Sequence, residues 1–428
     1  MGVFTILLLL CQFSNIPAHS LTIDEAVSVT LKENKQLKKF RYLSLSQNET
    51  MKSKKSEFYP QAELSYNLTR EEKDVFFSGR TTSVGTAEIT YNLFRGFTDR
   101  ANLNAEKHRF KAQKFLERAV QADVILDLKQ SFIAVLKGEK NLAVAKEAVD
   151  LLTSQRRDVA LRYREGLIAK NDLLKVELDL SSARQDLLSK KSDLVIARKK
   201  LERVMGRKIA EDEILVVPAP GKIKIQVNEE QTRVKMHQGR SEIKYLKSLL
   251  LSKKSELASI KGEYYPSIDL SASYTRLGDT LVPSGREGLF VIDESLQGKV
   301  TASWDIFDGF RKRHEKASKI MDMRSVEEDI RDTEREIDLQ LDRALEGYRI
   351  NSGNLEVSKK AVAQAEENYR ITNQQFKQNI STNTDLLDAR VFLSRARTQH
   401  INALYDLFLS ISEIERVVEA PLEPIKGK

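Results

Sequence analysis

Four short segments of the chain alternate apolar and polar residues with a period of two. They span about residues 61–70, 85–94, 267–276 and 298–307, so that two lie in each half of the chain. A period of two with one apolar face predicts a β-strand that is dry on one side and wet on the other. Each segment is close to the 9–11 residues that a tilted strand needs to cross a bilayer. The pattern therefore predicts two hairpins whose strands are long enough to cross a membrane.

Long stretches without helix breakers fill most of the remaining chain. Residues 98–163 and 311–376 contain no proline, and each predicts a helix of roughly 100 Å at 1.5 Å per residue. Shorter helices are predicted at about 22–58, 172–205, 229–263 and 385–418. Helices of such length cannot bury an apolar stripe in a compact core, so we expect them to pair laterally, as in a coiled coil.

The whole pattern occurs twice. Three landmarks recur in one order: Tyr-Pro before each first strand (59–60 and 265–266), Gly-Phe after each second strand (96–97 and 309–310), and a helix–turn–helix segment (163–174 and 376–387). Recurrence at offsets of about 206 to 213 residues indicates an internal duplication. We predict repeats at 21–210 and 229–419, a linker at 211–228 with two prolines and a glycine, and a tail at 420–428.

The first 20 residues are typical of an export signal. An apolar core at 3–10 precedes the small residues Ala18 and Ser20, which suit cleavage before Leu21. The single cysteine, Cys11, lies inside this segment, so the exported chain would contain no disulfide. After residue 20 no run of about 18 apolar residues occurs, and no membrane-spanning helix is predicted.

Charge and motifs exclude several classes of function. The net charge is +8, but acidic and basic residues alternate along the helices, which is typical of a solvated, ion-paired surface rather than of a nucleic-acid site. The sequence has no phosphate loop, no nucleophile elbow and no histidine spacing suited to a metal. We therefore predict no enzyme activity, no cofactor, no metal and no nucleic-acid partner.

Four strands are too few to cross a bilayer alone. Every backbone N–H and C=O in lipid needs a partner, so the sheet must close, and the smallest spanning barrels have about eight strands. Since each chain supplies four predicted strands, two copies would give eight and three would give twelve. Twelve strands leave room for water, which suits the polar strand faces. Aromatic residues near the strand ends are expected at the two membrane–water borders: Tyr66, Tyr91, Tyr274 and Trp304.

Together these landmarks resemble the TolC-like family of outer-membrane efflux proteins. The resemblance rests on the Tyr-Pro pairs, on the strand-to-helix corner at 304–311 and on the two helix turns. It implies a mainly α fold with a β-barrel portion: a homotrimer whose twelve-stranded barrel in the outer membrane stands on an α-helical tunnel in the periplasm. It also implies a passive exit duct of a tripartite efflux or type I secretion system, with a periplasmic adaptor and an inner-membrane pump as partners.

The same resemblance implies where the duct narrows and where it meets its partners. Acidic residues after the second helix turn would narrow the inner mouth, and the matching residues are Asp385 and Asp388, with Phe376 beside them. Three copies of each carboxylate would form rings that favour cations. Asp385 equally suits a helix cap, and both roles stay open. The adaptor-contacting turns would carry Gly166, Leu167, Asn379 and Ile380.

Two other classes of protein stay open from the residues alone. A soluble periplasmic coiled-coil adaptor, or a scaffold of long helices, would also account for the helices and the export signal. Neither explains four matched strands with aromatic residues near their ends.

Overall fold

A computed structural model describes residues 20–75, 79–210, 213–217, 228–285, 293–378 and 380–421. The helices are α1 (Ile23–Glu33), α2 (Lys35–Lys55), α3 (Thr98–Arg164), α4 (Lys170–Met205), α5 (Glu229–Gly239), α6 (Ser241–Gly262), α7 (Arg311–Lys377) and α8 (Asn383–Val418). The strands are β1 (Ser20–Thr22), β2 (Gln61–Val75), β3 (Gly79–Arg95), β4 (Ile214–Val216), β5 (Ser267–Gly278) and β6 (Glu294–Ser303). The predicted export signal, except Ser20, and most of the predicted linker and tail lie outside the described residues.

The long helices form as the sequence predicts. Helices α3 and α7 each run for 67 residues without interruption, and the helices that follow them, α4 and α8, have 36 residues each. Equal lengths in the two halves support the internal duplication. Among the described helices, none contains a stretch that is both long and apolar enough to cross a membrane.

Each repeat opens with two helices where the sequence predicts one. The predicted continuous helices at 22–58 and 229–263 are wrong at Asn34 and Arg240, where the backbone turns out of helical geometry with ψ of 127° and 124°. The Asn34 amide donates to the carbonyl of Val204 at 2.7 Å, and its oxygen accepts from the N–H of Leu37 at 3.0 Å. Its side chain thus caps the new helix start. The two breaks are 206 residues apart, so the break belongs to the repeat.

The described chain forms two compact units. One unit comprises residues 1–38, 120–239 and 337–428. Its core contains Leu128 and Phe132 of α3, Leu201 and Met205 of α4, and Tyr405 of α8. Strands β1 and β4 pair in parallel beside this core.

The other unit comprises residues 39–119 and 240–336 and contains a four-stranded sheet. The strand order is β2-β3-β5-β6, and every neighbouring pair is antiparallel. In the middle of the sheet, the register aligns residues of one character across all four strands. One row is Leu64, Ala87, Tyr274 and Leu296, and the next row is Ser65, Thr86, Thr275 and Ser295. Because paired residues share a face, the four predicted apolar faces form one continuous side of the sheet.

The last strand is shorter at its end than the sequence predicts. The predicted strand runs to residue 307, but β6 ends at Ser303, which pairs with Ser267 at the start of β5. Pro266 precedes Ser267 and has no N–H to donate to a ladder. The chain beyond Ser303 therefore has no strand to pair with, and Trp304 instead donates its indole N–H to the carbonyl of Tyr264 at 3.1 Å.

Two glycines lock one corner between sheet and helix. Gly96 follows β3 with φ of +60°, and a Cβ added there would lie 2.0 Å from the carbonyl oxygen of Gly262. A Cβ added to Gly262 would in turn lie 2.5 Å from the carbonyl oxygen of Gly96. Gly309, which occupies the equivalent corner of the second repeat with φ of +66°, has nothing within 4 Å of an added Cβ. The two corners share a backbone shape but differ in their packing.

Candidate functional site

The apolar side of the sheet is open to its surroundings. Leu64 is 84% exposed and Leu296 is 81% exposed. A contiguous apolar surface of this kind marks an interface with protein or lipid rather than with water. The opposite side carries Ser, Thr, Asn and Glu side chains, so the sheet has one face for an apolar phase and one for water.

The four aromatic residues expected at membrane borders lie at two levels of the sheet. Tyr66 and Tyr274 lie toward the hairpin tips, where the Tyr66 hydroxyl donates to the carbonyl of Leu281 and the Tyr274 hydroxyl donates to Glu294 at 2.6 Å. Tyr91 is half-buried and, like Trp304, lies toward the helices. The polar tips of Tyr66, Tyr274 and Trp304 have hydrogen-bond partners while their rings stay exposed, which is the usual arrangement at a wet border.

The two helix turns share one backbone hydrogen bond. The N–H of Leu167 donates to the carbonyl of Arg162 at 2.9 Å, and the N–H of Ile380 donates to the carbonyl of Gln375 at 2.8 Å. Both are the six-to-one bond of a Schellman motif, and the two are 213 residues apart. Gly166 takes the left-handed position of this motif with φ of +74°. The matching residue, Asn379, lies outside the described residues.

An apolar side chain extends outward from each turn. Leu167 and Ile380 occupy equivalent positions in the two turns, and both are largely exposed. In many Schellman motifs the equivalent side chain packs back on the helix. Here both side chains are available to a partner.

The helix starts beyond the turns differ in their capping. In the second repeat the Thr382 hydroxyl accepts from the N–H of Asp385 at 3.2 Å, while the Asp385 carboxylate accepts from the N–H of Thr382 at 2.8 Å. These hydrogen bonds form a capping box, and the bonds from the Thr382 hydroxyl and N–H lower the pKa of Asp385. Ala169 takes the place of Thr382 in the first repeat and has no side-chain cap, although Asp172 stands where Asp385 does. Asp385 therefore takes part in the capping box as its third helical residue, with Thr382 as the N-cap.

Asp388 lies one turn further along α8 and is exposed. The Asp179 carboxyl of α4 is close enough to interact electrostatically with the Asp388 carboxylate. Burial raises the pKa of the Asp179 carboxyl, and the negative charge of Asp388 raises it further. Two helices thus bring two carboxylates together near the turns, and only Asp388 was expected there.

Phe376 does not lie on an open surface. It is 7% exposed and packs with Val159, Val176 and Leu386 in a small core below the turns. The Arg162 guanidinium covers its ring at 4.5 Å from the centroid. Phe376 was predicted to line an inner mouth, but its ring is buried where α3, α4, α7 and α8 pack together.

A buried polar network near the turns was missed from the sequence. Gln155 of α3 donates to the Asn383 side chain at 2.6 Å and accepts from Arg390, which also donates to the carbonyl of Leu151 at 3.1 Å. Asn383 also donates to the carbonyl of Asp172 at 3.4 Å. A signal existed in the sequence, because Gln155 interrupts an apolar stripe formed by Leu151, Leu152 and Val159. The network links α3 to α8, although the Nε atom of Arg390 has no hydrogen-bond partner within it.

Known proteins share both the sequence pattern and the fold. The model of the family described as outer membrane efflux protein matches residues 26–207 and 257–415. Among curated proteins, none matches the chain. Three solved structures superpose over most of its length: a membrane protein from Pseudomonas aeruginosa (TM-score 0.82, 14% identity, 92% of each chain), the Campylobacter jejuni CmeC outer membrane channel (0.81, 14%, 95% of this chain and 87% of that one) and the open state of the Neisseria gonorrhoeae MtrE outer membrane channel (0.77, 15%, 97% and 95%). At these identities the structural matches establish the fold.

Proposed function

The chain belongs to the outer membrane efflux protein family, and on that premise we propose that three copies form the outer-membrane exit duct of a tripartite efflux or type I secretion system. The family places the chain in the outer membrane, with its helices in the periplasm. This membership favours an exit duct over the soluble adaptor or scaffold that the sequence left open.

One observation carries the proposal: the sheet has an exposed apolar face, and each of its two edge strands has a neighbour on one side only. Among the described strands, β2 and β6 pair on one side only. Lipid tolerates no unpaired strand edge, so β6 of one copy must pair with β2 of the next. Three copies of four strands give twelve, with Leu64 and Leu296 toward lipid and the Ser and Thr rows toward water.

The helix turns supply the contact with a periplasmic adaptor. Leu167 and Ile380 extend from turns that share the same backbone hydrogen bond, and exposed apolar side chains make effective anchors for a partner. We assign Gly166 and Asn379 to the same contact surface, because each directly precedes one of these apolar side chains in the chain. An inner-membrane pump would deliver substrates and supply the energy.

The carboxylates near the second turn form the inner mouth of the duct in this proposal. Three copies of Asp388 and three copies of Asp385 would place six carboxylates around one opening. Their combined field would favour cations and slow anions. Transport through the duct is passive and no bond is made or broken, so the chain is not an enzyme.

Paired cysteines in the two edge strands test the closure of the sheet. The variant Ser65→Cys with Gln297→Cys places one thiol on β2 and one on β6, both on the polar side. Treatment of outer membranes with a flexible bismaleimide should yield covalent dimers and trimers of the chain. The sample should also contain a heat-modifiable trimer in the outer-membrane fraction.

A matched pair inside one sheet serves as the control. Thr86 and Thr275 face each other on β3 and β5 with their hydroxyl oxygens 3.3 Å apart, so Thr86→Cys with Thr275→Cys should cross-link only within a chain. Covalent oligomers from the control pair, or a monomer in the soluble periplasmic fraction, would refute the duct.

A further inference from the structure

The corners that follow β3 and β6 contain an unusual residue for their backbone shape. Phe97 has φ of 67° and Phe310 has φ of 70°. Bulky residues rarely adopt this left-handed conformation, because their Cβ crowds the backbone. The same strained residue occurs 213 positions apart, directly after Gly96 and Gly309, so both repeats contain it.

Both rings are held together with a second ring and turned outward. Phe94 and Phe97 meet edge to face at 5.2 Å between centroids, and Phe307 and Phe310 do so at 5.5 Å. Phe97 is nevertheless 64% exposed, and Phe310 is 56% exposed. Strained positions persist where the surroundings or the function require them. Packing of the rings themselves does not supply that requirement here, because most of each ring is uncovered.

The neighbourhood of the corners has the composition of a membrane border. Other exposed aromatic residues lie at the same end of the sheet: Phe58, Tyr59, Tyr264, Tyr265 and Trp304. Arg100 and Arg313 occupy equivalent positions three residues beyond the two corner phenylalanines, and both are exposed. The apolar sheet face continues directly into this aromatic zone. From the bilayer core outward, the surface of a membrane protein typically changes from apolar side chains to aromatic rings and then to cationic side chains.

We propose that the two Phe pairs are lipid-binding wedges in the phospholipid leaflet that faces the periplasm. The rings of Phe97 and Phe310 enter the acyl boundary, and Arg100 and Arg313 lie at the level of the lipid phosphates. The proposal rests on the proposed function. It places the periplasmic border of the outer membrane at the sheet-to-helix corners, beyond the last residues of the strands. The strained backbone would then serve to direct the rings sideways into lipid.

The single tryptophan of the chain makes the test direct. Trp304 is replaced by Phe, and Phe310→Trp then places the reporter on the second corner. A companion variant carries Trp304→Phe with Phe97→Trp. Each protein is reconstituted, full length, into vesicles of phosphatidylethanolamine and phosphatidylglycerol that contain phosphatidylcholine brominated either near the headgroup or near the acyl end. Circular dichroism and trimer heat-modifiability confirm folding of each variant.

We expect both corner reporters to be quenched at least about twofold more by lipid brominated near the headgroup than by lipid brominated near the acyl end, as for aromatic rings at the interface. A matched control is Phe392→Trp in the Trp304→Phe background, because Phe392 is an exposed ring on α8. This control should respond to aqueous iodide and not to brominated lipid.

The proposal would be overturned if the corner reporters respond to iodide and not to brominated lipid. It would also be overturned if they respond to neither quencher, because another protein surface would then cover the rings. In both cases flotation of the trimer with the vesicles would leave the proposed duct intact. Failure of the trimer to float at all would instead refute the duct itself.

Discussion

At the scale of single residues, the two helix turns show how one changed side chain separates duplicated sites. Ala169 and Thr382 are equivalent, and their backbones are nearly identical, with φ and ψ of −76° and 152° against −80° and 162°. Only Thr382 has the hydroxyl that a capping box needs. The first turn therefore has the geometry and the acidic residue, Asp172, of a cap that it does not complete.

Exchange of the capping residue should shift the stability of the two turns in opposite directions. Thr382→Ala removes an N-cap and should destabilise the helix start by about 1 kcal/mol, whereas Ala169→Ser should stabilise the first turn by about 0.5–1 kcal/mol. Thermal unfolding of the detergent-solubilised trimer measures both changes. A stability loss in the Ala169→Ser variant would contradict the capping argument.

The acid pair predicts a dependence of stability on pH. Burial, and then Asp388, raises the pKa of Asp179 above its ordinary value of 3.8. The folded chain therefore binds the Asp179 proton more tightly than the unfolded chain does. This group's contribution to the free energy of unfolding is complete below about pH 3.8 and is lost as pH rises through the raised pKa. Asp179→Asn should accordingly stabilise the protein near pH 7, on the order of 0.5 kcal/mol after screening is allowed for.

The same comparison near pH 4 provides the control for this effect. The difference between wild type and Asp179→Asn should shrink as pH falls, because the wild-type carboxyl takes up its proton as pH falls through the raised pKa. Asp388→Asn should give a smaller gain at neutral pH, since Asp388 is the second cause of the shift. An equal gain at both pH values would show that the charge of Asp179 is not responsible.

At the scale of elements, the sheet provides the sharpest test, because its two faces are predicted to meet different phases. Leu64→Arg places a cation on the apolar face and should cost about 2–4 kcal/mol if that residue lies near the bilayer midplane. Ser65→Arg makes the same change one residue along, on the polar face, and should be tolerated. The yield of heat-modifiable trimer in outer membranes measures both. Equal losses would mean that the two faces do not differ in environment.

Most elements followed from periodicity because their signals are local. The strands have period two, the long helices lack proline, and the duplicated landmarks fixed the element order. The breaks at Asn34 and Arg240 did not follow, because neither residue is a strong helix breaker; the Asn34 side chain reaches Val204, which is 170 residues away. The end of β6 was misplaced for a related reason, since alternation continues past Ser303 while the pairing partner ends at Pro266.

The candidate site was less predictable than the fold. The resemblance pointed to Asp385, Leu167 and Ile380, whose surroundings are set by local turns, and their roles stay predictions. The burial of Phe376 depends on four helices converging, and no local pattern reports that. Asp179 was missed for the same reason, since it lies on a different helix from Asp388.

At the scale of the whole molecule, the proposed acidic mouth predicts ion selectivity. Asp385→Ala with Asp388→Ala removes two carboxylates per copy and should reduce the preference for cations, seen as a smaller reversal potential in a salt gradient across a planar bilayer. Phe376→Leu is the matched control, since a buried ring near the same turn should leave the reversal potential unchanged. Unchanged selectivity in the double variant would rule out the assignment of the mouth.

The contact between Gly96 and Gly262 has a consequence for the symmetry of the proposed assembly. Two corners per chain in three copies make six joints around the ring. Backbone-to-backbone contact tolerates no side chain at the first kind of joint, whereas the second, at Gly309, has open space around it. A side chain at Gly309 would meet only the strain of its left-handed backbone, whereas one at Gly96 would also collide with Gly262. The two sets of joints therefore differ, and the ring keeps threefold rather than sixfold symmetry. Any partner that encircles it meets two alternating kinds of hinge.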